Sequence, residues 1–445
     1  MEILKRKIDN YLIEWKNSSL KMPLIIRGAR QIGKTFAIRQ FGKKNYKYFI
    51  EINFIEKEFY KDIFDEGYIV DNIIKKISLH DPKLVFEPNE TLIFFDEIQK
   101  CPNAATSLKF FREDKRYDVI CSGSLMGINY NEIESNSVGN KIDYTMRPLD
   151  FEEFLWAKGY KEEQINDLYN YMKEIKPLPE STYNIFINIF KEYMVVGGMP
   201  LVVKTFVNNN NYSGILDLQK QILLDYEEDI TKYAGSLDKT KILNVYKKIP
   251  VFLGKENKKF QISKIGVNSK SRDYIGVIDW LINAGIVNIC YCMATLELPL
   301  KGNYNPDMYK LYFGDTGLLI GSLDEEAQKD LRENKNFNTY KGAIYENVVA
   351  DMLVNEGYEL YYYKNSNGSI EMDFFIRDTD SLIPVEVKAN DNSTKSLNKL
   401  IEWNTFKEIK YGIKLGNKNI GFNGKFYTFP YFMTFLLKRF LKEKN

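Results

Sequence analysis

Met22–Phe41 reads MPLIIRGARQIGKTFAIRQF. Its first apolar run, Leu24-Ile25-Ile26, is short and rich in β-branched residues, which predicts a buried strand. The run enters Gly28-Ala29-Arg30-Gln31-Ile32-Gly33-Lys34-Thr35, a complete G-x-x-x-x-G-K-T, and Phe36–Phe41 then carries helical spacing. Strand, glycine loop and helix follow in the order a phosphate-cradling loop requires. The two glycines let the backbone turn tightly, so that its N–H groups converge on phosphate oxygens. The helix behind them offers its positive N-terminus to the same anion. Lys34 is expected to reach the β- and γ-phosphates of ATP, and the Thr35 hydroxyl to be a ligand of Mg²⁺.

The other half of such a site is expected at Thr91-Leu-Ile-Phe-Phe95-Asp96-Glu97, an apolar strand ending in two acids. Asp96 suits the magnesium shell and Glu97 suits polarisation of the attacking water. A further strand, Asp118–Cys121, leads into Ser122-Gly123-Ser124, where the Ser124 hydroxyl is the candidate sensor of the γ-phosphate. Ile142–Arg147 gives a last strand. Together these predict a parallel α/β sheet with ligands at the carboxyl ends of its strands. Arg112, Arg116 and Arg147 are candidate arginine fingers or sensors.

A chain of 445 residues suggests about three domains. Hydrophobic content of 44% with 27% charged residues fits a soluble globular protein, and no run approaches the roughly 18 apolar residues of a membrane helix. The first sixteen residues, MEILKRKIDNYLIEWK, are interrupted by charges and do not read as a signal peptide. Leu4, Ile8, Tyr11, Leu12 and Trp15 instead form one helical stripe. Cys101, Cys121, Cys290 and Cys292 show no zinc spacing and fit a reducing cytoplasm. The single histidine, His80, excludes His-rich metal sites. A net charge of +2 predicts no nucleic-acid binding by itself, so any basic surface must be local.

Pro148-Leu-Asp-Phe-Glu-Glu-Phe154 marks a boundary, and helical patterning follows to about Tyr233. Val195-Val-Gly197-Gly198-Met199-Pro200 interrupts it, as an interhelical turn or as a lid element. Between Lys239 and Met293, Ile262–Gly266 suggests a short helix and turn, Ser269–Asn283 an amphipathic helix, and Ile286–Met293 a strand. This order fits a winged helix with Lys264, Lys270 and Arg272 toward DNA, and equally a small three-helix packing module. A strand and glycine turn from Asp307 precede a charged linker to about Asn338. Helix Gly342–Glu356 carries Glu346, and strands follow at Tyr358–Tyr363, Ile370–Ile376 and Leu382–Val387. Alternation places Glu371 and Asp373 on one face, and Glu386 and Lys388 on one face of the next strand. A hairpin would cluster them as a Mg²⁺ site or as cross-strand ion pairs. The tail, Phe429–Asn445, reads as a basic amphipathic helix.

Gly28–Thr35, Phe95-Asp-Glu97, Ser122-Gly-Ser124, Pro148–Phe154 and Gly197-Gly-Met-Pro200 together resemble prokaryotic AAA-like ATPases of the archaeal-ATPase/STAND group. The C-terminal half of those proteins is matched by Lys310-Leu-Tyr-Phe-Gly-Asp-Thr-Gly-Leu318, Gly342-Ala-Ile-Tyr-Glu-Asn347, Glu371-Met-Asp-Phe374 and Pro384-Val-Glu-Val-Lys388. The resemblance implies an α/β architecture: an N-terminal P-loop AAA-like parallel sheet (1–150), a helical lid (151–235), a winged-helix-like middle (236–300), a connecting segment (301–340) and a restriction-endonuclease-like α/β domain with a basic C-terminal helix (341–445). On the PD-(D/E)xK pattern, Asp373 and Glu386 are metal ligands, Lys388 the catalytic lysine and Glu346 a supporting acid, with Met372 departing from the usual proline before Asp373. The expected function is an ATPase coupled to a DNA-acting, Mg²⁺-dependent nuclease. The alternatives are a nucleotide-dependent switch whose nuclease-like half only binds DNA or protein, and an ATPase that remodels proteins. A homo-oligomer or protein partner is expected, and no membrane.

Overall fold

The computed structural model describes residues 3–124, 139–234, 238–255, 258–266, 270–274, 276–333, 335, 338–365, 367–388, 394–402 and 406–444. Strands β1 (Leu24–Gly28), β2 (Tyr48–Asn53), β3 (Thr91–Asp96), β4 (Asp118–Ser124) and β5 (Ile142–Thr145) form a parallel sheet in the order β2-β3-β4-β1-β5. β3 is buried at every residue, as a parallel strand covered on both faces must be. Its alternate residues feed two cores. Leu92 and Phe94 join Leu24, Ile26 and the Ile8, Leu12 and Trp15 stripe of helix Lys7–Asn17. Ile93 and Phe95 join Ile25, Ile73 and Leu108 on the other face. β4 lies between β1 and β3, so the phosphate loop after β1 and the two acids after β3 open on one edge, one strand apart.

The boundary at Pro148 is a helix start. Asp150 accepts from the Glu153 N–H at 2.9 Å and Glu153 accepts from the Asp150 N–H at 3.1 Å, a reciprocal cap that opens helix Phe151–Ala157. Helices Glu162–Lys173, Glu180–Val196, Pro200–Asn209 and Ile215–Tyr233 follow. The glycine break at Gly197–Met199 is an interhelical turn pressed against the boundary segment. A Cβ on Gly198 would lie 2.0 Å from the Leu149 carbonyl oxygen, so no larger residue fits there.

The remaining strands are β6 (Val287–Met293), β7 (Tyr304–Phe313), β8 (Leu360–Lys364), β9 (Glu371–Arg377), β10 (Leu382–Lys388), β11 (Gly412–Gly416), β12 (Gly421–Phe422) and β13 (Phe426–Pro430). They form one mixed sheet in the order β12-β13-β11-β10-β9-β8-β6-β7. β6 was expected within the winged-helix-like stretch and β7 within the connecting segment, yet both are hydrogen-bonded into the sheet of the last stretch. The expected helix Ser269–Asn283 is a 3-10 turn at Ser271–Tyr274 and a short helix, Val277–Asn283, that starts after Gly276. The charged linker contains helices Thr316–Gly321 and Ala327–Arg332. The tail helix is shorter than expected. Its first residues belong to β13, and Tyr431–Leu436 is a buried 3-10 turn before helix Leu437–Lys444.

Two motifs noted separately in the sequence meet at the joint between these parts. Asp315, just beyond β7, caps helix Thr316–Gly321 by accepting from the Leu318 N–H at 2.8 Å, and accepts from the Gly198 N–H at 2.6 Å. Burial lifts its carboxyl to about 6, even though these backbone donors hold it down. Asn347 braces the same turn, accepting from the Phe313 N–H at 2.9 Å and donating to Thr316 Oγ1 at 3.0 Å.

Candidate functional site

β1 delivers the chain to Gly28 with φ 148°. A Cβ there would lie 2.2 Å from the Met146 carbonyl oxygen, so the cradle needs glycine at its entrance. Gly33 is left-handed and hands over to helix Lys34–Asn45, whose first turn faces the loop. The Lys34 ammonium donates to the carbonyl oxygens of Gly28 at 3.1 Å and Ala29 at 2.6 Å. Burial pushes its pKa down to about 8, against the pull of Glu97 and Asp96. A phosphate arriving at the loop would restore the missing countercharge.

Asp96 sits 3% exposed at the end of β3. It gathers the Thr35 hydroxyl, at 3.3 Å to each oxygen, the Asn53 amide at 3.1 Å, the Glu97 N–H at 3.1 Å and the Ser122 hydroxyl. Burial raises its pKa, and so does the neighbouring Glu97 charge, while the Ser122 hydrogen bond opposes them. Glu97 adopts a left-handed backbone, φ 57° and ψ 46°, a conformation that costs a non-glycine residue free energy and is common at functional positions. Its carboxylate accepts from the Gln99 amide. Ser122, the first hydroxyl of the expected sensor motif, thus serves Asp96, and the Ser124 side chain lies outside what is described. Lys34, Thr35, Glu97 and Ser122 line one cleft of about 660 Å³ with Arg30, Gln31 and Gly33. Thr35 and Asp96 offer the hard oxygen donors that Mg²⁺ takes.

Sequence reading missed the groups that hold the loop from outside. Arg6 is buried and donates to the Ile32 carbonyl at 3.0 Å and the Arg147 carbonyl at 2.7 Å. Helix Ile215–Tyr233 brings Tyr226 to the Arg30 carbonyl at 3.1 Å, Asp229 to the Arg30 guanidinium at 2.9 Å and Asp225 to the Gln31 amide at 2.5 Å. The helix partners are some 200 positions from the loop in sequence, and no local pattern announces them. Of the candidate fingers, Arg112 donates to Gly139 and Asn140, Arg116 pairs with Asp114 and Asp71, and Arg147 reaches Asn288 on β6. None of the three lines the Lys34 cleft.

The C-terminal candidates gather around β9 and β10. Asp373 lies one step beyond the last paired residues, Val385 opposite Phe374, and accepts from the Val387 N–H at 2.8 Å. Burial raises its pKa, and the Glu346 charge adds to this. Lys388 pairs with Glu386 Oε1 at 3.0 Å, while Glu386 Oε2 is buried without a hydrogen-bond partner among the described residues. Glu346 is 2% exposed and holds Lys310 at 3.0 Å, Lys258 and the Tyr312 hydroxyl. Burial alone would raise its pKa, but the two ammonium charges outweigh burial and keep it low. Lys258 and Lys310 come from outside the quoted PD-(D/E)xK motif residues. Among the described residues, no three acidic, histidine or cysteine side chains converge closely enough to hold a metal ion. Among them, too, no helix is long and apolar enough to cross a membrane.

Against known proteins, residues 20–155 match a family model described as an AAA domain. Residues 187–329 and 341–432 match two models described as domains of unknown function. An uncharacterized protein of Methanocaldococcus jannaschii is 27% identical over 444 residues, covering 94% of this chain and 86% of the relative. Similar solved structures include a Walker-type ATPase of Pyrococcus abyssi, with 14% identity and a TM-score of 0.42 over 72% of this chain and 96% of that one. The ORC2 protein of Aeropyrum pernix is another, with 11% identity and a TM-score of 0.36 over 75% and 94%. With its glycine loop, its five-stranded parallel sheet and the Asp96-Glu97 pair, the N-terminal part of this chain is an AAA-like P-loop domain.

Proposed function

We propose that this chain is a Mg²⁺-dependent ATPase whose hydrolytic cycle governs a DNA-acting C-terminal half. The observation that carries the reading is the convergence of Lys34, Thr35 and Glu97 on one cleft, with Asp96 bonded to the Thr35 hydroxyl behind them. The loop N–H groups and the Lys34 ammonium bind the phosphates. Thr35 and Asp96 would hold Mg²⁺, which would supply positive charge against the phosphates. Glu97 orients and polarises the attacking water. Exposed Lys264, Lys270 and Arg272 supply a local basic surface for DNA. Lys34→Ala should weaken ATP binding about 10- to 100-fold, the loss expected for charge-assisted hydrogen bonds to phosphate. Equilibrium binding of a fluorescent ATP analogue measures it, and unchanged affinity would remove the assignment.

A second reading concerns Asp373, Glu386 and Lys388, and Glu386 Oε2, buried without a hydrogen-bond partner among the described residues, favours it. A buried carboxylate oxygen without a donor is suited to a cation, so Glu386 with Asp373 would hold Mg²⁺ or Mn²⁺, and Lys388 would stabilise charge on a phosphodiester. On this reading plasmid DNA is nicked with Mg²⁺ or Mn²⁺, and Asp373→Ala abolishes nicking without slowing ATP hydrolysis. Intact plasmid in every combination of metal and ATP would leave the half as a binding module, the role that the lysine-saturated Glu346 favours.

A further inference from the structure

β8 begins at Leu360, opposite Cys290, and so does not run alongside Val287–Ile289 of β6. The notch opens into a cleft of about 310 Å³, at the small end of ligand pockets. One wall is aromatic. The rings of Tyr291 and Tyr304 lie 4.5 Å apart between centroids, and Tyr361 backs Tyr304 at 6.0 Å. Tyr361 is buried, whereas Tyr291 and Tyr304 are half-exposed and present the wall to the cleft.

The far end is cationic. The Arg147 guanidinium makes one hydrogen bond among the described residues, to Asn288 Oδ1 at 3.3 Å, and burial lowers its pKa. The carboxylate that acts on it, Asp351, is 3% exposed and is itself driven toward its neutral form by burial and by Asp315. Lys301 and Glu359 also line the cleft but pair with each other at 2.9 Å, so a cation in the position of Arg147 favours an anion. Asn288 and Tyr291 alternate to opposite faces of β6, yet Arg147 and the Tyr291–Tyr304 wall line the same cleft. A ligand touching both ends therefore carries a ring at one end and an anion at the other.

We propose that this cleft binds a nucleotide unit, its base stacked on Tyr291 and Tyr304 and its phosphate on Arg147. An aromatic wall suits the ring of any base, and arginine supplies the planar fork that phosphate accepts. The unit comes either from a free mononucleotide or from a single strand. The site is separate from the Lys34 cleft, although Arg6 touches the backbone of both Arg147 and the phosphate loop.

The test is photocrosslinking of the full-length chain with 5-iodo-2′-deoxyuridine monophosphate and, separately, with an oligothymidine carrying one 5-iodouracil. Labelled peptides are identified by mass spectrometry. Labelling should map to Tyr291 or Tyr304 and persist in Lys34→Ala, which separates it from the ATPase site. Tyr304→Ala should reduce it about tenfold, the size of one lost stacking contact. Tyr304→Phe should retain it, and Arg147→Gln should weaken it. Stronger labelling by the oligonucleotide identifies a strand as the source, and equal labelling a free nucleotide. Labelling confined to the Lys34 cleft, or untouched by a folded Tyr304→Ala variant, overturns the proposal.

Discussion

Glu97→Gln should lower ATP turnover by about 10²- to 10⁴-fold, the range typical of removing a general base. ATP affinity should stay within about threefold of the unaltered chain. The groups proposed to bind the phosphates are Lys34 and the loop N–H groups, with Thr35 and Asp96 on the metal, and all of them remain. Glutamine preserves the length of the side chain and can still accept from Gln99, so the left-handed turn after β3 has no reason to rearrange. What is lost is the negative charge proposed to face the attacking water. Single-turnover hydrolysis measured beside equilibrium binding separates the two effects. Turnover within threefold of the unaltered chain would assign the water to another residue.

Glu346→Gln should cost about 3–5 kcal/mol of folding stability, whatever the C-terminal half does to DNA, because it strands a buried cation. Lys310 is 1% exposed, its charge is balanced by Glu346 at 3.0 Å, and Glu371 stands off at 3.6 Å. Lys258 loses its partner in the same step. Adding Lys310→Met to the Glu346→Gln chain should recover a large part of the loss, since a buried pair replaced by apolar groups is often close to neutral. Urea unfolding of the single and double variants measures both. A single-variant loss below about 1 kcal/mol would mean that Glu346 does not serve as the anchor of this cluster.

The ATPase half was legible because its signals are local. The glycine loop lies between a strand and a helix that alternation and spacing identify, and Asp96-Glu97 closes an apolar run found buried at every residue. The helical stretch and its glycine break were legible for the same reason. What sequence did not show is what long-range pairing decides. β6 reads as the strand of a small module, but its partners are β7 and, some 70 positions downstream, β8. Tyr431–Leu436 reads as the start of an amphipathic helix, but every residue in it is buried, so its pattern carries no helical face. In the C-terminal cluster, alternation placed Glu371 with Asp373 and Glu386 with Lys388. It could not show that Lys258 and Lys310 would arrive from elsewhere to occupy Glu346.

The sharing of one sheet by residues 287–313 and 360–430 bears on how such a gene can be rearranged. The two stretches of unknown function, 187–329 and 341–432, look like separable building blocks on a linear map. Physically each holds part of the other. A descendant that kept only the later stretch would bare the edge of β8 that β6 now covers, an invitation to aggregate. It would also bury Glu346 without Lys310. A descendant that kept only the earlier stretch would lose Asn347, which braces the turn where Asp315 meets Gly198. Recombination that separates the two is therefore penalised at the level of folding, and the pair should be inherited, duplicated or lost as a single unit.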